Sequence, residues 1–432
     1  MTGLKNGIQR SLMVALPAVV LLGAAGSLFK LDRTLSPTPV EVILLAALAP
    51  IACGVLLFFL KRGVDLTLVA SCGMLTSIST ATLLQVSQIP GGSQAFFQTV
   101  VFRHAVFVVA AFSAMAVGAL ITPFIARLRH YPYVTAAIAL VLIGSTILVG
   151  TEVNGAKLWI VVGSFRFQPA ELARVLLAVF VAAYLYDRRH LLASSWRVGR
   201  LTLPPLPYLL PVAAAIGLAL ASLALQNDLG MAALTSLAGF AIIAGSLRSR
   251  WSVAGMGAAV GLAIWIAPTV SPRVGVRVGS WLNPWRDPTA AGYQFIQSEY
   301  ALAVGGIGGA PTKPDVRNVP EVQTDFVLAA IGALSGILVS AAVLVLLAVM
   351  VLRCAQNSLA AATELESQLG VALTILLGLQ ILLILGGVLR LLPLTGLTVP
   401  LVSYGGTSMV VTGLLIGVVL GIGASGARAS TR

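Results

Sequence analysis

Long apolar runs separated by short polar breaks extend along most of this chain of 432 residues. About twelve of them reach roughly 18 residues, the length at which a helix crosses a hydrocarbon core of about 30 Å. They lie near residues 11–29, 39–60, 65–87, 103–126, 133–150, 169–186, 206–225, 229–247, 252–268, 325–353, 368–391 and 404–426. The pattern predicts an all-α polytopic membrane protein, in which 206–225 and 229–247 form either two spans or one re-entrant pair.

The composition excludes an ordinary soluble protein. Hydrophobic residues make up 58% of the chain and charged residues only 9%, and the mean hydropathy is +0.99. Soluble domains carry about 25% charged residues. The apolar runs are therefore expected to lie in a membrane.

The basic residues predict how the helices are oriented. Lys5 and Arg10 precede the first run, and placing them inside the cell makes every second polar gap cytoplasmic. Those gaps and the end of the chain carry a series of cations: Lys61, Arg62, Arg127, Arg129, Arg188, Arg189, Arg197, Arg200, Arg248, Arg250, Arg353, Arg428 and Arg432. Because cytoplasmic loops are enriched in Lys and Arg, we expect both termini in the cytoplasm and an uncleaved first helix.

The net charge of +13 needs no nucleic-acid partner, because this topology explains much of it. Cytoplasmic cations also attract anionic membrane lipid. Cys53, Cys72 and Cys354 lie in or beside helices, and the three histidines lack zinc-ligand spacing. We expect neither a disulfide framework nor a built-in transition-metal site.

Three polar segments are predicted to lie outside the cell and to converge on one site. Segment 269–324 is rich in Pro, Gly and Arg, and loops of such length are usually functional. Segment 151–168 predicts a turn and an interfacial helix, with Trp159 at headgroup level. Segment 392–408 contains helix-breaking prolines and glycines. We therefore divide the chain into N-terminal transmembrane helices (1–150) and a region that contains all three segments (151–432).

Acidic residues cluster at these outer segments. Of fourteen Asp and Glu residues, eight lie in or beside residues 151–325: Glu152, Glu171, Asp228, Asp287, Glu299, Asp315, Glu321 and Asp325. Asp325 directly precedes an apolar run, so Thr324–Asp325 resembles a helix N-cap, which favours the ionised carboxylate. Asp325 is either a cap without chemistry or a functional acid.

Two further groups of charges have both a structural and a functional interpretation. Glu171 and Arg174, three residues apart near the start of a span, form either a structural ion pair or part of a site. The cations of the large loop either balance nearby acids or bind an anionic ligand. They are Arg273, Arg277, Arg286, Lys313 and Arg317.

Glycine-rich stretches predict packing rather than chemistry. GGIGGA at 305–310 lacks the Gly-Lys-Ser/Thr of a phosphate loop, which leaves flexible backbone as the prediction. GMGAAVG at 255–261 and GALSG at 332–336 have the small-residue spacing that is typical of helix–helix contacts.

An outer site with acids and arginines fits two classes of function. One is an enzyme that acts on an anionic, lipid-anchored substrate, and the other is a transporter that relays protons or binds cations. A transporter is expected to place ionisable residues near the bilayer midplane. The outer position of the acids favours the enzyme.

Five sequence blocks resemble the SEDS family of FtsW, RodA and SpoVE cell-shape and division proteins. In chain order they are NGAKLWIVVGSFRFQPAELARV, QNDLGMAAL, RVGSWLNPWRDPTAAGYQFIQSEYALAVGG, VPEVQTDFVLAAIG and LPLTGLTVPLVSYGGTS. Five blocks in family order are highly specific. The resemblance implies a core of ten helices, to which this chain adds two at its N-terminus.

The resemblance implies a peptidoglycan glycosyltransferase that polymerises lipid II on the outer face of the cytoplasmic membrane. An acceptor sugar hydroxyl would displace undecaprenyl pyrophosphate from the donor, with inversion. The family's essential aspartate falls on Asp325, the expected general base. Arg277, Lys157 and Arg174 are expected to contact the pyrophosphate. A divalent cation (Mg²⁺ or Mn²⁺) could assist them there. A class B penicillin-binding protein is the implied partner.

The matching blocks also imply a wider set of substrate-binding positions. They are Trp159, Gln168, Glu171, Asp228, Asn283, Pro284, Tyr293, Gln294, Gln297, Ser298, Glu321, Thr324, Ser403, Tyr404, Gly405 and Gly406.

The chain departs from the family pattern at five positions. Gln323 replaces a usual His, Arg174 a usual Lys, Ala333 and Leu334 a common Glu-Glu pair, and Ile384 a frequent Asn. A lipid II flippase or scaffold of the same fold is therefore the second hypothesis, and an ion-coupled transporter is the third. The sequence leaves the role in division or elongation open.

Overall fold

The computed structural model describes residues 37–61, 63–89, 94–127, 130–153, 156–163, 165–193, 196–198, 201–203, 206–246, 250–310 and 314–429. The predicted first span at 11–29 and Lys313 lie outside the described residues. The described helices are α1 (Pro37–Leu60), α2 (Leu66–Ser87), α3 (Gln94–Arg127), α4 (Pro132–Val149), α5 (Pro169–Asp187), α6 (Arg189–Ala193), α7 (Leu206–Leu225), α8 (Leu229–Ser246), α9 (Arg250–Val270), α10 (Pro272–Leu282), α11 (Tyr293–Val304), α12 (Val327–Leu359), α13 (Glu364–Val388) and α14 (Gly406–Ala429).

The predicted helical, multi-pass architecture is confirmed. Ten described helices are long and apolar enough to cross a membrane: α1 to α5, α7, α8 and α12 to α14. Helix α9 contains a shorter apolar segment, Val253–Ile266. Helices α7 and α8 are each long and apolar enough to be a separate candidate span, which favours two spans over one re-entrant pair.

Close backbone packing between α3 and α14 depends on glycine. A Cβ atom at Gly413 would lie 2.1 Å from the carbonyl oxygen of Ala111, and one at Gly417 would lie 2.1 Å from that of Met115. Any larger residue would force the helices apart. Membrane helices use small residues in this way because burial from lipid adds little hydrophobic driving force.

Asp65 joins α2 to the far end of α12. Its carboxylate accepts from the backbone N–H groups of Thr67 and Leu68 and so caps α2. It also accepts from Arg353 through Nε and Nη2, both at 2.7 Å, and from Asn357 Nδ2 at 2.9 Å. This bidentate pair satisfies the cap and the arginine together.

Segment 151–168 forms a small antiparallel sheet, so the predicted interfacial helix is wrong. Strands β1 (Thr151–Val153), β2 (Ala156–Val162) and β3 (Phe165–Phe167) pair in the order β1-β2-β3. Trp159 pairs with Thr151 across β1 and β2. The prediction overlooked the β-branched residues of the segment and the Asn-Gly dipeptide at 154–155, which favours hairpins. A second hairpin joins β4 (Trp196–Val198) to β5 (Leu201–Leu203).

Helix α12 is broken at Gly336, and the glycine-rich loop packs into the break. Gly336 has φ 80° and ψ 178°, which are not helical. The N–H of Ile337 donates to Gly306 O at 2.9 Å, and that of Ala310 donates to Ala333 O at 3.0 Å. The loop at 305–310 is therefore packed rather than free, because its backbone supplies hydrogen bonds that the broken helix lacks.

We expect Gly336→Ala to lower the free energy of unfolding by about 1–3 kcal/mol. A Cβ there would lie 2.3 Å from Ile307 O, and its φ of 80° strains any side chain. Thermal unfolding in detergent measures the effect. The matched control is Gly378→Ala in α13, whose Cβ would make an ordinary 3.6 Å contact with Val351. Equal stability of the two variants would contradict the assigned strain.

Candidate active site

Asp325 lies in the turn that leads into α12, and it does not cap the helix. The N-cap residue is Phe326, which makes no side-chain capping hydrogen bond. The predicted Thr324–Asp325 cap is therefore wrong. The carboxylate of Asp325 is half-buried and directed to the other outer segments rather than used by its own helix.

Glu321 organises the same turn through its side chain. It has φ 53°, in the left-handed region that non-glycine residues rarely adopt. Its Oε2 accepts from Thr324 Oγ1 at 3.0 Å and from Gln323 Nε2 at 3.3 Å. Its carbonyl oxygen accepts from the N–H groups of Thr324 and Phe326. These four bonds hold the turn that presents Asp325.

The pKa of Asp325 is raised to about 7. Burial is the largest cause, and the negative charge of Glu321 is the second. Arg277 and a hydrogen bond from Thr324 act in the opposite direction and lower the pKa. Desolvation therefore raises the pKa of Asp325 by more than the helix N-terminus suggested by the sequence would lower it. A carboxylate with a pKa near neutrality is suited to general acid–base work.

Arg277 on α10 and Asp325 meet at Gly396. A Cβ at Gly396 would lie 3.7 Å from Asp325 Oδ2 and 3.9 Å from Arg277 Nη2, and this glycine has φ 73°. Arg277 Nη1 donates to the carbonyl oxygens of Leu394 and Thr395, both at 3.3 Å. The Asp325 carboxylate and the Arg277 guanidinium thus border one space at Gly396, the Gly396 opening, which has room for a methyl group.

The outer segment between α13 and α14 connects to the Asp325 turn through its backbone. Ser403 Oγ donates to Thr324 O at 2.5 Å, and the N–H of Tyr404 donates to Gln323 O at 2.8 Å. The N–H of Val399 donates to Ser403 Oγ at 2.8 Å. The SYGG sequence at 403–406 therefore positions the turn through Ser403 and Tyr404.

Gly405 and Gly406 serve close packing at the start of α14. A Cβ at Gly405 would lie 3.1 Å from Thr398, and one at Gly406 would lie 2.6 Å from the ring of Phe107. The structure therefore gives both glycines a steric role beside the candidate site.

A second polar cluster lies at the start of α5 and α8. Gln168 Nε2 donates to Asp228 Oδ2 at 3.3 Å, and the N–H of Met231 donates to Asp228 Oδ1 at 3.0 Å. Burial raises the pKa of Asp228, and Glu171 raises it as well, whereas Arg277 and Arg174 lower it. The charge of Asp228 thus interacts both with Arg277 beside Asp325 and with Glu171 and Arg174 on α5.

The predicted pair of Glu171 and Arg174 is present and buried. Among the described residues, Arg174 Nε and Nη1 have no hydrogen-bond partner. A buried guanidinium with free donors is costly, so this arginine is available to a polar ligand or water.

Several predicted positions lie on elements other than the Asp325 turn. Lys157 is exposed on β2 opposite Glu152, and Trp159 is half-buried on the same strand. Pro284 is buried at a 3₁₀ turn, and Asn283 before it is exposed. Helix α11 carries four others, of which Ser298 is buried and the rest are half-buried: Tyr293, Gln294, Gln297 and Ser298.

Two cations of the large loop, Arg317 and Arg277, have different acidic neighbours. Arg317 pairs with Asp315 at 2.7 Å, which lowers the pKa of that carboxyl, so charge balance explains Arg317. Burial lowers the pKa of Arg277, which Asp325 and Asp228 raise and Arg273 lowers. Arg277 is therefore the cation that faces acids of the candidate site.

The sequence prediction missed Gly396 and Arg390. The Thr-Gly dipeptide at 395–396 was a turn signal, but only the fold shows what approaches it. Arg390 follows α13 and contacts three separate carbonyl or carboxylate groups. No local pattern marked this arginine.

Comparison with known proteins agrees with the architecture. The profile of a family described as "Cell cycle protein", FtsW/RodA/SpoVE, matches residues 61–427. The "Peptidoglycan glycosyltransferase RodA" of Mycobacterium tuberculosis is 33% identical over 315 residues, which is 71% of this chain and 66% of that protein. This chain thus spans slightly less than two thirds of the mycobacterial relative. "Probable peptidoglycan glycosyltransferase FtsW" of Tolumonas auensis is 32% identical over 85% of this chain and 90% of its own length.

Two solved structures are also similar. One, described as "Structural coordination of polymerization and crosslinking by a peptidoglycan synthase complex", has a TM-score of 0.65 and 25% identity over 84% of this chain and 98% of its own. The rod shape determining protein RodA of Thermus thermophilus has a TM-score of 0.55 and 23% identity, covering 84% of this chain and 97% of its own, and this likeness concerns the fold alone.

The raised pKa of Asp325 predicts a pH-dependent stability. The pKa rises from about 3.9 in the unfolded chain to about 7 in the folded protein. The folded state therefore holds the extra proton, and its stability falls as the pH rises through this window. We expect Asp325→Asn to raise the melting temperature, relative to wild type, more at pH 8 than at pH 5.

Asp315→Asn is the matched control for that measurement. The pKa of Asp315 is lowered by Arg317, so its contribution is already present at pH 5 and does not change toward pH 8. A difference between Asp325→Asn and wild type that stays constant with pH would contradict the raised pKa.

Proposed function

The chain belongs to the family of FtsW, RodA and SpoVE cell cycle proteins, and from this membership we propose that it is a peptidoglycan glycosyltransferase. In this proposal it polymerises lipid II at the outer face of the cytoplasmic membrane. The single observation that supports the chemistry is the opening at Gly396, which is bordered by the carboxyl group of Asp325, with a pKa near 7, and by the half-buried Arg277.

Asp325 is the proposed general base. It accepts the proton of the acceptor sugar hydroxyl while that oxygen forms a bond to the anomeric carbon of the donor. The bond from the anomeric carbon to the pyrophosphate oxygen breaks, and the configuration inverts. A base with a pKa near the working pH combines ionisation with proton affinity, which is the condition for efficient proton transfer.

Arg277 is the proposed stabiliser of the departing pyrophosphate. Its guanidinium is fixed by two backbone carbonyl oxygens, so little reorganisation is needed as negative charge develops. Arg174 and Lys157 stay proposed contacts for other parts of the anionic substrate. Arg174 has free buried donors, and Lys157 is exposed to solvent.

The remaining positions that the resemblance implied stay proposed substrate contacts. Glu171 pairs with Arg174, Gln168 donates to Asp228, and α11 carries its polar residues in the large loop. Ser403 and Tyr404 support the base through backbone bonds to its turn, so their proposed contribution is positional.

A divalent cation fits this site only together with the substrate. The described residues contain no group of three or more His, Cys, Asp or Glu that could hold a metal ion. Mg²⁺ commonly binds substrate phosphates together with one or two carboxylates, so the pyrophosphate of the donor would supply most of its ligands. Such an ion would neutralise pyrophosphate charge.

We propose a class B penicillin-binding protein as the partner that cross-links the product. Support comes from the similar structure of a peptidoglycan synthase complex described as coordinating polymerization and crosslinking.

The distribution of Lys and Arg supports cytoplasmic termini and a site that faces outward. The membrane-anchored donor then reaches Asp325 without leaving the bilayer.

The second candidate is a flippase or scaffold that moves or holds lipid II without polymerising it. The buried Glu171–Arg174 pair within α5 favours it, because ionisable groups inside spans often mark transport paths. The absence of the family's Glu-Glu pair at 333–334 adds to this case. In the structure, the Ala333 carbonyl instead accepts from the glycine-rich loop.

A polymerisation assay distinguishes the two functions. Purified protein, with and without its cognate penicillin-binding protein, is incubated with lipid II, and glycan chains are resolved by length. We expect wild type to polymerise and Asp325→Asn to lose about 10²–10⁴-fold in rate, the usual contribution of a general base. Asp315→Asn, in the exposed outer pair, should match wild type.

The interpretation requires that both variants fold and bind lipid II equally. Polymerisation by Asp325→Asn at the wild-type rate would remove the proposed base. Translocation of lipid II without polymer, even with the partner present, would replace the glycosyltransferase with the flippase.

The pH profile gives a further prediction. The rate should rise with pH through about 7 as Asp325 ionises. Glu321→Gln removes a negative charge that raises the pKa of Asp325, so the rising limb should move to lower pH. Single-turnover rates between pH 5 and 9 measure it. A shift to higher pH would contradict the assigned interaction.

A further inference from the structure

Helix α10 carries Arg277, yet burial within the protein contributes little to holding this helix in place. None of its eleven residues is buried, and Val276 and Leu282 are 57% and 65% exposed. Its attachment to the segment between α13 and α14 therefore depends on a few specific contacts.

Arg390 supplies most of those contacts. Its Nε donates to Trp281 O at 3.0 Å and its Nη2 donates to Leu282 O at 3.4 Å, both at the C-terminal end of α10. Its own carbonyl oxygen accepts from Trp281 Nε1 at 3.1 Å. Its Nη1 donates to Glu299 Oε1 on α11 at 2.9 Å. One residue thus joins two outer helices to the segment that contains Gly396.

The backbone of Arg390 is in a conformation that is unusual for a residue with a side chain. Arg390 has φ 56°, a conformation that glycine adopts without strain and arginine rarely adopts. Such local strain motivates the hypothesis that the side-chain contacts contribute to the site. The residues of α10 that Arg390 contacts, Trp281 and Leu282, lie about one helical turn after Arg277.

We propose that Arg390 is a positioning residue that holds α10 so that Arg277 faces Asp325. The inference rests on the proposed glycosyltransferase reaction, in which Arg277 acts on the departing pyrophosphate. Arg390 itself touches neither the Asp325 turn nor the opening at Gly396. Its effect on the reaction passes through Trp281, Leu282 and the helix they end.

Arg390→Gly is the decisive variant, because it removes the three side-chain contacts, keeps the carbonyl oxygen that accepts from Trp281, and relieves the backbone strain. We expect it to fold and to lower kcat on the order of tenfold to a hundredfold, as displaced catalytic groups do, with a smaller change in KM. Arg390→Lys keeps one charged donor and should recover part of the rate. Arg317→Ala, which breaks the outer ion pair with Asp315, should behave as wild type.

The pH profile separates positioning from general destabilisation. Asp325 is faced by Glu321 and Thr324 from its own turn and by Arg277 from α10. If α10 moves away, Arg277 no longer lowers the pKa of Asp325. The rising limb of kcat should then move to higher pH, by about one pH unit for the loss of a nearby opposite charge.

A distance measurement tests the clamp without any activity. Spin labels at Val276→Cys on α10 and Leu382→Cys on α13 lie on exposed positions, and the three native cysteines are buried. We expect one narrow distance distribution in the Arg390 protein and in Arg317→Ala, a broadened or shifted one in Arg390→Gly, and an intermediate one in Arg390→Lys.

The two readouts keep the hypotheses apart. An unchanged distance distribution in Arg390→Gly would overturn the clamp. A changed distribution with wild-type kcat and an unmoved pH limb would overturn the positioning role. If the wild-type protein made no polymer, the glycosyltransferase proposal would fail, and the distances would still decide whether Arg390 fixes α10.

Discussion

The candidate site of this protein depends on one constraint: irregular backbone next to membrane-spanning helices must find hydrogen-bond partners within the protein. The segment between α13 and α14 is non-helical, and its carbonyl and N–H groups are paired with side chains and backbone of other elements. Gln380 Nε2 donates to Thr398 O at 2.9 Å, Arg277 bonds two carbonyl oxygens, and Ser403 and Tyr404 bond the Asp325 turn. Satisfying this one segment therefore assembles α10, the acidic turn and α14 into one site.

The same assembly sets the charge state of the site. Asp325 is removed from water by the elements that satisfy the segment, and its pKa rises because desolvation outweighs the attraction of Arg277. Arg277 is partly desolvated as well, and two acids face it. The protein thus holds a carboxyl group and a guanidinium close together without consuming both in an ion pair, which leaves each available to a substrate.

The fold was predictable because apolar runs of spanning length constrain a membrane chain strongly, and the five ordered blocks indicated the family. Asp325, Arg277 and the pair of Glu171 and Arg174 were identified as candidates from charges that run against their apolar or topological surroundings. The cap at Thr324–Asp325 was wrong because a local rule cannot show that the helix begins two residues later. The sheet at 151–168 was missed because short strands resemble interfacial helices in composition. Arg390 could not be found, since its partners lie about 90 to 110 residues away along the chain.

The way in which α10 is attached has a consequence for temperature. Burial of apolar surface gives an attachment a large heat-capacity change, and such attachments weaken on cooling. Helix α10 buries no residue fully and is joined to the segment between α13 and α14 by hydrogen bonds of Arg390, Trp281 and Arg277. Its detachment should therefore involve little heat-capacity change, and the geometry around Arg277 should be kept in the cold, where the purely apolar contacts of a protein become weaker.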